Sequence, residues 1–451
     1  MALTYLLRPV VFGAAVSTAL ALSTPAHSQT PDSRVFSEID VQGNRRFSDE
    51  DVLATSGLQT GVPLGQIELE RAYEALQFTG EFDSVEIRSV GNTLIILVDE
   101  TPQYSGGLTF GLGYDTDTGV FGAVGLLLRD TFGPESTIAG NLLIAEEVQT
   151  LSFDAASPNF WGESNRGGVR LSFGNYEYDD VTYRYQFARV EPYVQYDVGE
   201  NSQVELRYTL EQKRVFDIEA TASPILQAEA GRDVSSGIGF TFATGSSRDA
   251  AEPANSGSWF LRFDQDFTGL GGDTELSLTE LSFGGRRPLG GNGFALRTRI
   301  DLGAVVGHGS DDPRVSERFT LGGSRLRGFD RGGISPRDIC AGCGAGGTDV
   351  VTDLGGNYYA VARTDLLVPL FANRPEIETF VFFDVGSVWN VDTDTAASGI
   401  LDDGKTWRNS AGIGTSFDTQ LGQFEAYLAL HTDGNSRDDV QEFGLTFRSE
   451  F

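Results

Sequence analysis

Val204-Glu205-Leu206-Arg207-Tyr208-Thr209-Leu210-Glu211 alternates strictly between apolar and polar side chains. In an extended chain successive side chains point to opposite faces. Val204, Leu206, Tyr208 and Leu210 therefore line one face, and Glu205, Arg207, Thr209 and Glu211 the other. The same period of two recurs over residues 259–267, where Trp259, Leu261, Phe263 and Phe267 oppose Arg262, Asp264 and Asp266. Over residues 294–302, Phe294, Leu296, Ile300 and Leu302 oppose Arg297, Arg299 and Asp301. At the C-terminus Phe443, Leu445, Phe447 and Phe451 are set against Glu442, Thr446, Arg448 and Glu450. Two architectures produce such a pattern. A soluble sandwich turns its apolar face inward, whereas a membrane barrel turns it to lipid and wraps the charged face around a wet lumen. The chain holds about sixteen candidate strands, mostly near the ~10 residues that cross a bilayer at a tilt. Sandwich strands centre on ~5–6 residues, so strand length and number decide for the barrel.

Composition agrees. The 451 residues include 56 Gly and a single Met, with 11% aromatics, a mixture suited to strands and tight turns. The formal net charge of −31 argues against nucleic acid as a partner, because phosphate recognition needs a basic surface. Lysine occurs only at Lys213 and Lys405, so arginine carries nearly all the positive charge. Residues 1–28 read as a secretory signal: Arg8 supplies the charged start and Val10 to Leu22 the short apolar stretch. Ala26-His27-Ser28 then places small residues at the cleavage positions before Gln29. No later segment has the ~20 apolar residues of a membrane helix. The other histidines, His308 and His431, lie in no metal-ligand spacing, and no Gly-x-Ser-x-Gly elbow is present. Neither an enzyme nor a cofactor-dependent protein is expected.

Residues 34–101 have a different rhythm. Val35 to Val41 alternates as a strand and ends at the turn signal Gly43-Asn44. Ser48 and Asp51 form a capping-box pattern. In a second helix Leu69, Ala72, Tyr73 and Leu76 fall at i, i+3, i+4 and i+7. Gly80 ends that helix; Phe82, Val85 and Ile87 then alternate, and Gly91-Asn92 leads into the apolar strand Leu94 to Val98. The order is β-α-α-β-β. One barrel stretch, residues 183–198, parses ambiguously: Tyr183, Tyr185 and Phe187 share one phase, but Val190, Val194 and Tyr196 take the other. Either a bulge near Ala188 or an unrecognised turn would account for it.

The segment from Gly307 to Asn357 breaks the strand rhythm, and connections of that length are usually functional. It contains Arg318-Phe319-Thr320-Leu321-Gly322-Gly323 followed by Ser324-Arg325-Leu326-Arg327-Gly328-Phe329. Later come Phe382-x-Asp384-x-Gly386 and then Val388-Trp389. The period of two puts Asp384 and Gly386 on one face, opposite Phe383, Val385 and Trp389, and so into the lumen. Cys340 and Cys343 stand at Cys-x-x-Cys spacing in the same segment. Metal would need further ligands, none of which is near, so in an oxidising compartment a local disulfide is expected over free thiols.

These motifs closely resemble the loop-six signature of the Omp85 superfamily and its partner motif, with Leu326 where Val is commoner. Residues 34–101 resemble the family's periplasmic POTRA module on Ile39-x-Val41-x-Gly43-Asn44, Leu76…Gly80-x-Phe82-x-x-Val85 and the closing strand. The terminal Phe451 on an amphipathic strand looks like the recognition signal of outer-membrane barrels. The resemblance implies a mainly β fold: a 16-stranded transmembrane antiparallel barrel (102–451) behind one POTRA-like β-α-α-β-β domain (34–101). It also implies that Arg327 meets Asp384 inside the barrel, where a planar fork suits a carboxylate. Gly322, Gly323 and Gly328 would turn the backbone, with Phe329 filling apolar space. Arg363 and Asp365, on one face of the preceding strand, are expected to extend that network.

Resemblance to the family's assembly branch implies a seam between first and last strands. Gly106, Gly107, Gly111 and Gly113 leave the first strand few side chains to pack. The expectation is an outer-membrane protein that inserts unfolded client polypeptides into the membrane or moves them across it. Its N-terminal domain would lie in the periplasm and receive clients or accessory partners. Rival expectations are a two-partner secretion pore with one dedicated substrate, an anchoring barrel working with a separate patatin-like partner, and a diffusion porin. The secretion branch usually carries two POTRA domains and a plug helix, and no such elements are legible here. No P-loop is present, so nucleotide is not expected to supply energy.

Overall fold

The computed structural model describes residues 34–44, 46–100, 106–133, 135–162, 165–178, 181–199, 201–246, 257–290, 293–309, 311–371, 374, 377–419, 422–433 and 435–448. The expected signal segment 1–28 and the terminal Phe451 lie outside them. The chain divides into two compact units between Gln103 and Tyr104.

In the smaller unit the strand Glu38–Gln42 runs parallel to Thr93–Glu100, which pairs antiparallel with Phe82–Val90. The expected first strand is interrupted: Arg34–Val35 pairs instead with Pro63–Leu64, and Phe36 drops into the core at the break. Ser48 caps the helix Asp49–Ser56, its hydroxyl accepting from the Asp51 N–H while the Asp51 carboxylate accepts from the Ser48 N–H. The helix Gln66–Phe78 buries Ala72 and Leu76 against Leu94, Ile96 and Val98. Tyr73 does not share that face; it is exposed, because the core stripe here is only as wide as Leu69, Ala72 and Leu76.

In the larger unit sixteen strands, from Gly106–Asp115 to Phe443–Arg448, form one antiparallel sheet. Each pairs with its sequence neighbours, the simplest route to a rolled sheet because hairpins keep contacts local. The faces sort as the alternation requires. Leu206, Tyr208 and Leu210 are exposed on the outside, while Glu205 and Glu211 are buried on the lumen side. Arg207 reaches across the lumen wall to Asp266 with Nε and Nη2 at 3.0 and 2.6 Å. Arg170 does the same to Glu205, at 2.8 and 2.5 Å. Charges on the inside and apolar side chains on the outside are the inverse of a soluble core.

The ambiguous stretch proves to be one strand, Arg184–Gly199, whose register with Asn165–Tyr176 runs unbroken from Tyr185 to Tyr196. Neither the bulge near Ala188 nor an extra turn is present; the register shifts later, between Asp197 and Gly199. The apparent change of phase arises because Tyr185 and Phe187 face inward. There Tyr185 packs under the helix Pro224–Ala228 and stacks with Tyr176 at 5.8 Å. A lumen covered by loops accepts aromatic side chains that an open one would not.

Leu206 stands 53% exposed on the outward face. Leu206→Arg should destabilise the folded barrel in lipid by about 2–4 kcal/mol. The comparison is Gln195→Arg on the lumen side, followed by urea unfolding in liposomes; equal effects would mean the outward face meets water.

Candidate functional site

The connection between Ala295–Gly307 and Tyr358–Val368 folds back into the barrel. It doubles on itself through the bridges Phe319↔Gly356 and Leu321↔Ile334, and meets the last long connection at Phe329↔Val440. Its tip is closed by the Gly323 N–H donating to the Phe329 carbonyl at 2.8 Å. Leu321, Leu326, Phe329 and Ile334 are fully buried with Val361 and Val388 of the wall. Two glycines allow this path. Gly322 has φ +122°, and a Cβ there would stand 1.7 Å from the Asp330 carbonyl oxygen. Gly328 has φ +90°, and a Cβ would stand 2.8 Å from that of Ser410.

The tip delivers Arg327 to four strands at once. Its Nε and Nη2 donate to the two oxygens of Asp384, each at 2.8 Å. Nη2 also donates to Asp365 at 2.6 Å, and Nη1 to Glu425 at 3.3 Å. The guanidinium lies 4.0 Å over the Phe382 ring, which shields it from lumen water. The Ser410 hydroxyl donates to the Arg327 carbonyl, tying side chain and backbone to the same wall. Asp384 is completely buried and Arg327 only 4% exposed. Asp365 passes the chain on to Arg297 at 2.9 Å, and Arg297 to Glu378 at 3.2 Å. A guanidinium shared by three carboxylates stays charged whatever the ambient pH. Desolvating such a cluster offsets much of its Coulomb attraction, so its value lies in specifying one loop position.

Of the residues picked from the sequence, Gly322, Gly323, Leu326, Arg327, Gly328 and Phe329 form the tip, and Phe382, Asp384 and Gly386 form the wall beneath it. Arg363 contributes differently from Asp365: its Nη1 donates to the Ser324 carbonyl at 2.7 Å and so steadies the loop backbone. Arg325 is exposed, its guanidinium 5.2 Å from the Tyr359 ring. Cys340 and Cys343 are bonded to each other, at the end of Arg337–Cys340 in a small sheet over the lumen. Sequence reasoning did not find Arg297, Glu378, Glu425 or Ser410. Each looks like an ordinary lumen-phase residue of its own strand, and only ladder register brings them together.

Further anchors hold the base of the loop. Lys213 pairs with Glu317 at 3.1 Å and Glu211 at 3.2 Å, which gives one of the two lysines a structural role. Arg318 donates to the carbonyls of Pro313 and Leu354 and pairs with Glu229. The last connection has an anchor of its own, a two-point contact of Arg408 with Asp438 at 2.9 and 3.1 Å. Below these contacts a polar cavity of about 730 Å³ remains, lined by Arg189, Arg207, Glu211, Asp264, Asp266 and Arg299 among others.

At the seam, Gly107, Gly111 and Gly113 present no side chain to the lumen, while Leu108, Phe110, Leu112 and Tyr114 point outward, Leu112 86% exposed. Among the described residues Gly106–Asp115 and Phe443–Arg448 share no ladder. They meet where the Thr116 N–H donates to the Leu445 carbonyl at 2.9 Å. The next residue, Asp117, accepts from the Ser324 N–H at 3.2 Å. The first hairpin turn therefore touches both the last strand and the loop tip.

Two predictions follow from these contacts. Arg327→Ala should cost roughly 3–5 kcal/mol, because it strands buried carboxylates. Arg327→Lys should restore little of it, since an ammonium cannot serve both Asp384 oxygens. The incubation temperature at which the folded band vanishes from SDS gels run in the cold reads both. The Asp117 carboxyl is pushed up from 3.8 to about 6, chiefly by burial and then by Asp115. The folded state then holds a proton that the unfolded chain gives up, so this contribution is full below pH 4 and is lost as pH rises to about 6. Asp117→Asn should remove that decline, gaining stability over the parent between pH 4 and 6 with no further gain above. Parallel pH profiles in thermal unfolding would refute it.

The Omp85 superfamily domain matches residues 131–449. The outer membrane protein assembly factor BamA of Neorickettsia risticii is 23% identical over 417 residues, spanning 90% of this chain and 54% of that protein. BamA of Nitratidesulfovibrio vulgaris is 28% identical over 386 residues, 82% of this chain and 46% of that one. The chain thus spans about half the length of these relatives. In fold it resembles BamA from Haemophilus ducreyi lacking POTRA domains 1–3, with a TM-score of 0.76 and 19% identity. That likeness covers 91% of this chain and 84% of the other. With the family domain spanning most of the barrel and an arginine-locked loop inside it, the chain belongs to the Omp85 superfamily.

Proposed function

We propose that this protein handles polypeptides at the outer membrane, inserting clients into the bilayer through the seam between its first and last strands. The observation that carries the reading is the seam itself. A sheet whose two ends meet through a turn contact, among the described residues, offers edges that a client strand can join. The glycine-rich lumen face of Gly106–Asp115 lowers the cost of separating that strand from its neighbours. The name of both curated relatives, outer membrane protein assembly factor, supports the same reading.

In this reading the Arg327 cluster acts as a positioning device. It holds the loop tip against the wall beneath Ser410, so the loop fills the lumen and favours lateral release over passage through the pore. The smaller unit would serve as a POTRA-like periplasmic module. The edges of its sheet among the described residues, Glu38–Gln42 and Phe82–Val90, would receive an extended peptide segment or an accessory protein.

Photo-crosslinkers at Leu112 and Leu445 should capture nascent barrel proteins in growing cells. Depletion of the protein should lower many outer-membrane barrels together. Loss of one exported protein, with the others unchanged, would instead identify a dedicated secretion pore or a barrel paired with a single partner. Small-solute conductance without any client defect would identify a porin.

A further inference from the structure

On the outside of the wall, the apolar columns stop short of the end that carries the long connections. Along Ser202–Phe216 the outward series Val204, Leu206, Tyr208, Leu210 continues as Gln212 and Arg214. Toward the same end, Val190 gives way to Gln186, Phe173 to Asn175 and Leu151 to Gln149. On the other side the outward series Ile238, Ser236, Val234 ends at Arg232. The six polar side chains at that end line a groove of about 330 Å³ whose lower wall is Leu142, Leu151 and Phe173.

The two arginines are the unusual feature. Arg214 and Arg232 are direct partners across the ladder, and both are exposed. Like charges placed opposite one another destabilise a strand pair unless something neutralises them. Among the described residues neither has an acidic partner. The rim acids Glu177 and Asp217 are engaged by Arg184 at 3.6 and 3.1 Å. The Arg214 guanidinium lies 4.7 Å over the Phe216 ring, which orients it without cancelling its charge. On a chain of net charge −31, an uncompensated arginine pair marks a place where an anion completes the surface.

We propose that Arg214 and Arg232, with Gln212, bind the phosphate of a phosphorylated lipid headgroup in the leaflet at the long-connection end. Each guanidinium offers a planar fork that matches phosphate oxygens. A free phosphate has the same chemistry, but the apolar side chains that share the groove favour a lipid, because acyl chains would lie against Leu210 below Gln212 and against Phe173, Leu151 and Leu142 on the neighbouring strands, while the headgroup sits above. The site rests on the membrane-barrel reading and on no client, so failure of polypeptide handling leaves it standing.

The test uses the full-length folded protein in detergent micelles, titrated with bisphosphorylated lipid A. The double variant Arg214→Gln/Arg232→Gln should bind roughly ten-fold or more weakly, the loss of one or more charge-assisted contacts. Dephosphorylated lipid A should bind the parent as weakly as intact lipid A binds the variant. Arg129→Gln, at the opposite end of the wall, should change nothing. Both arginines are exposed, so heat-modifiable gel mobility should confirm that the variants stay folded. Equal affinity of parent and double variant overturns the site. Competition by inorganic phosphate at equal concentration overturns the lipid as its occupant.

Discussion

A single guanidinium sets the interior of this barrel. Arg327 is carried into the lumen on a turn that only glycines can make, and it meets carboxylates from three different wall strands. Such a cluster gains little net energy from charge alone, since each group gives up its hydration. What it provides is discrimination: a loop displaced by one residue would leave Asp384 buried without a cation. The position of the loop decides where lumen volume remains, which apolar side chains are covered, and what the first hairpin turn can touch.

That constraint reaches the seam through short links. Ser324, two residues past Gly322, donates its N–H to Asp117, and Thr116 beside it bonds to Leu445 on the last strand. Strand end, loop tip and opposite strand end thus meet at one turn. Arg363 steadies the same loop backbone from Tyr358–Val368, where it stands opposite Asp384. Separating the two end strands would disturb this turn, where hydrogen bonds join them among the described residues.

The barrel was legible because its alternation is a backbone property: two side-chain directions, one wet and one in lipid. The motif residues were legible as a set through their resemblance to the family's loop-six signature and its partner motif. Other parts were not. Residues 183–198 looked irregular because sequence reading assumes that aromatic side chains face lipid, whereas Tyr185 lies beneath a loop cover inside and Phe187 stacks on it. Tyr73 matched a helical stripe that proved narrower than its spacing suggested. Arg297, Glu378 and Glu425 carry no local signal, since any strand lining a wet lumen has charges at those positions.

By itself the sequence determined the strand period, the inversion of faces, the β-α-α-β-β order of the smaller unit and the pair of motifs that must meet. The period and the element order follow from local geometry, the inversion of faces from the number and length of the strands, and the meeting of the motifs from their resemblance to the family's. Tertiary structure alone decided which charges share Arg327, how Lys213 and Arg318 secure the loop base, and that Arg214 stands opposite Arg232. Those contacts depend on ladder register across strands far apart in the chain. A shift of one residue would send each of these side chains to the other face, and no local pattern records which register the sheet adopts.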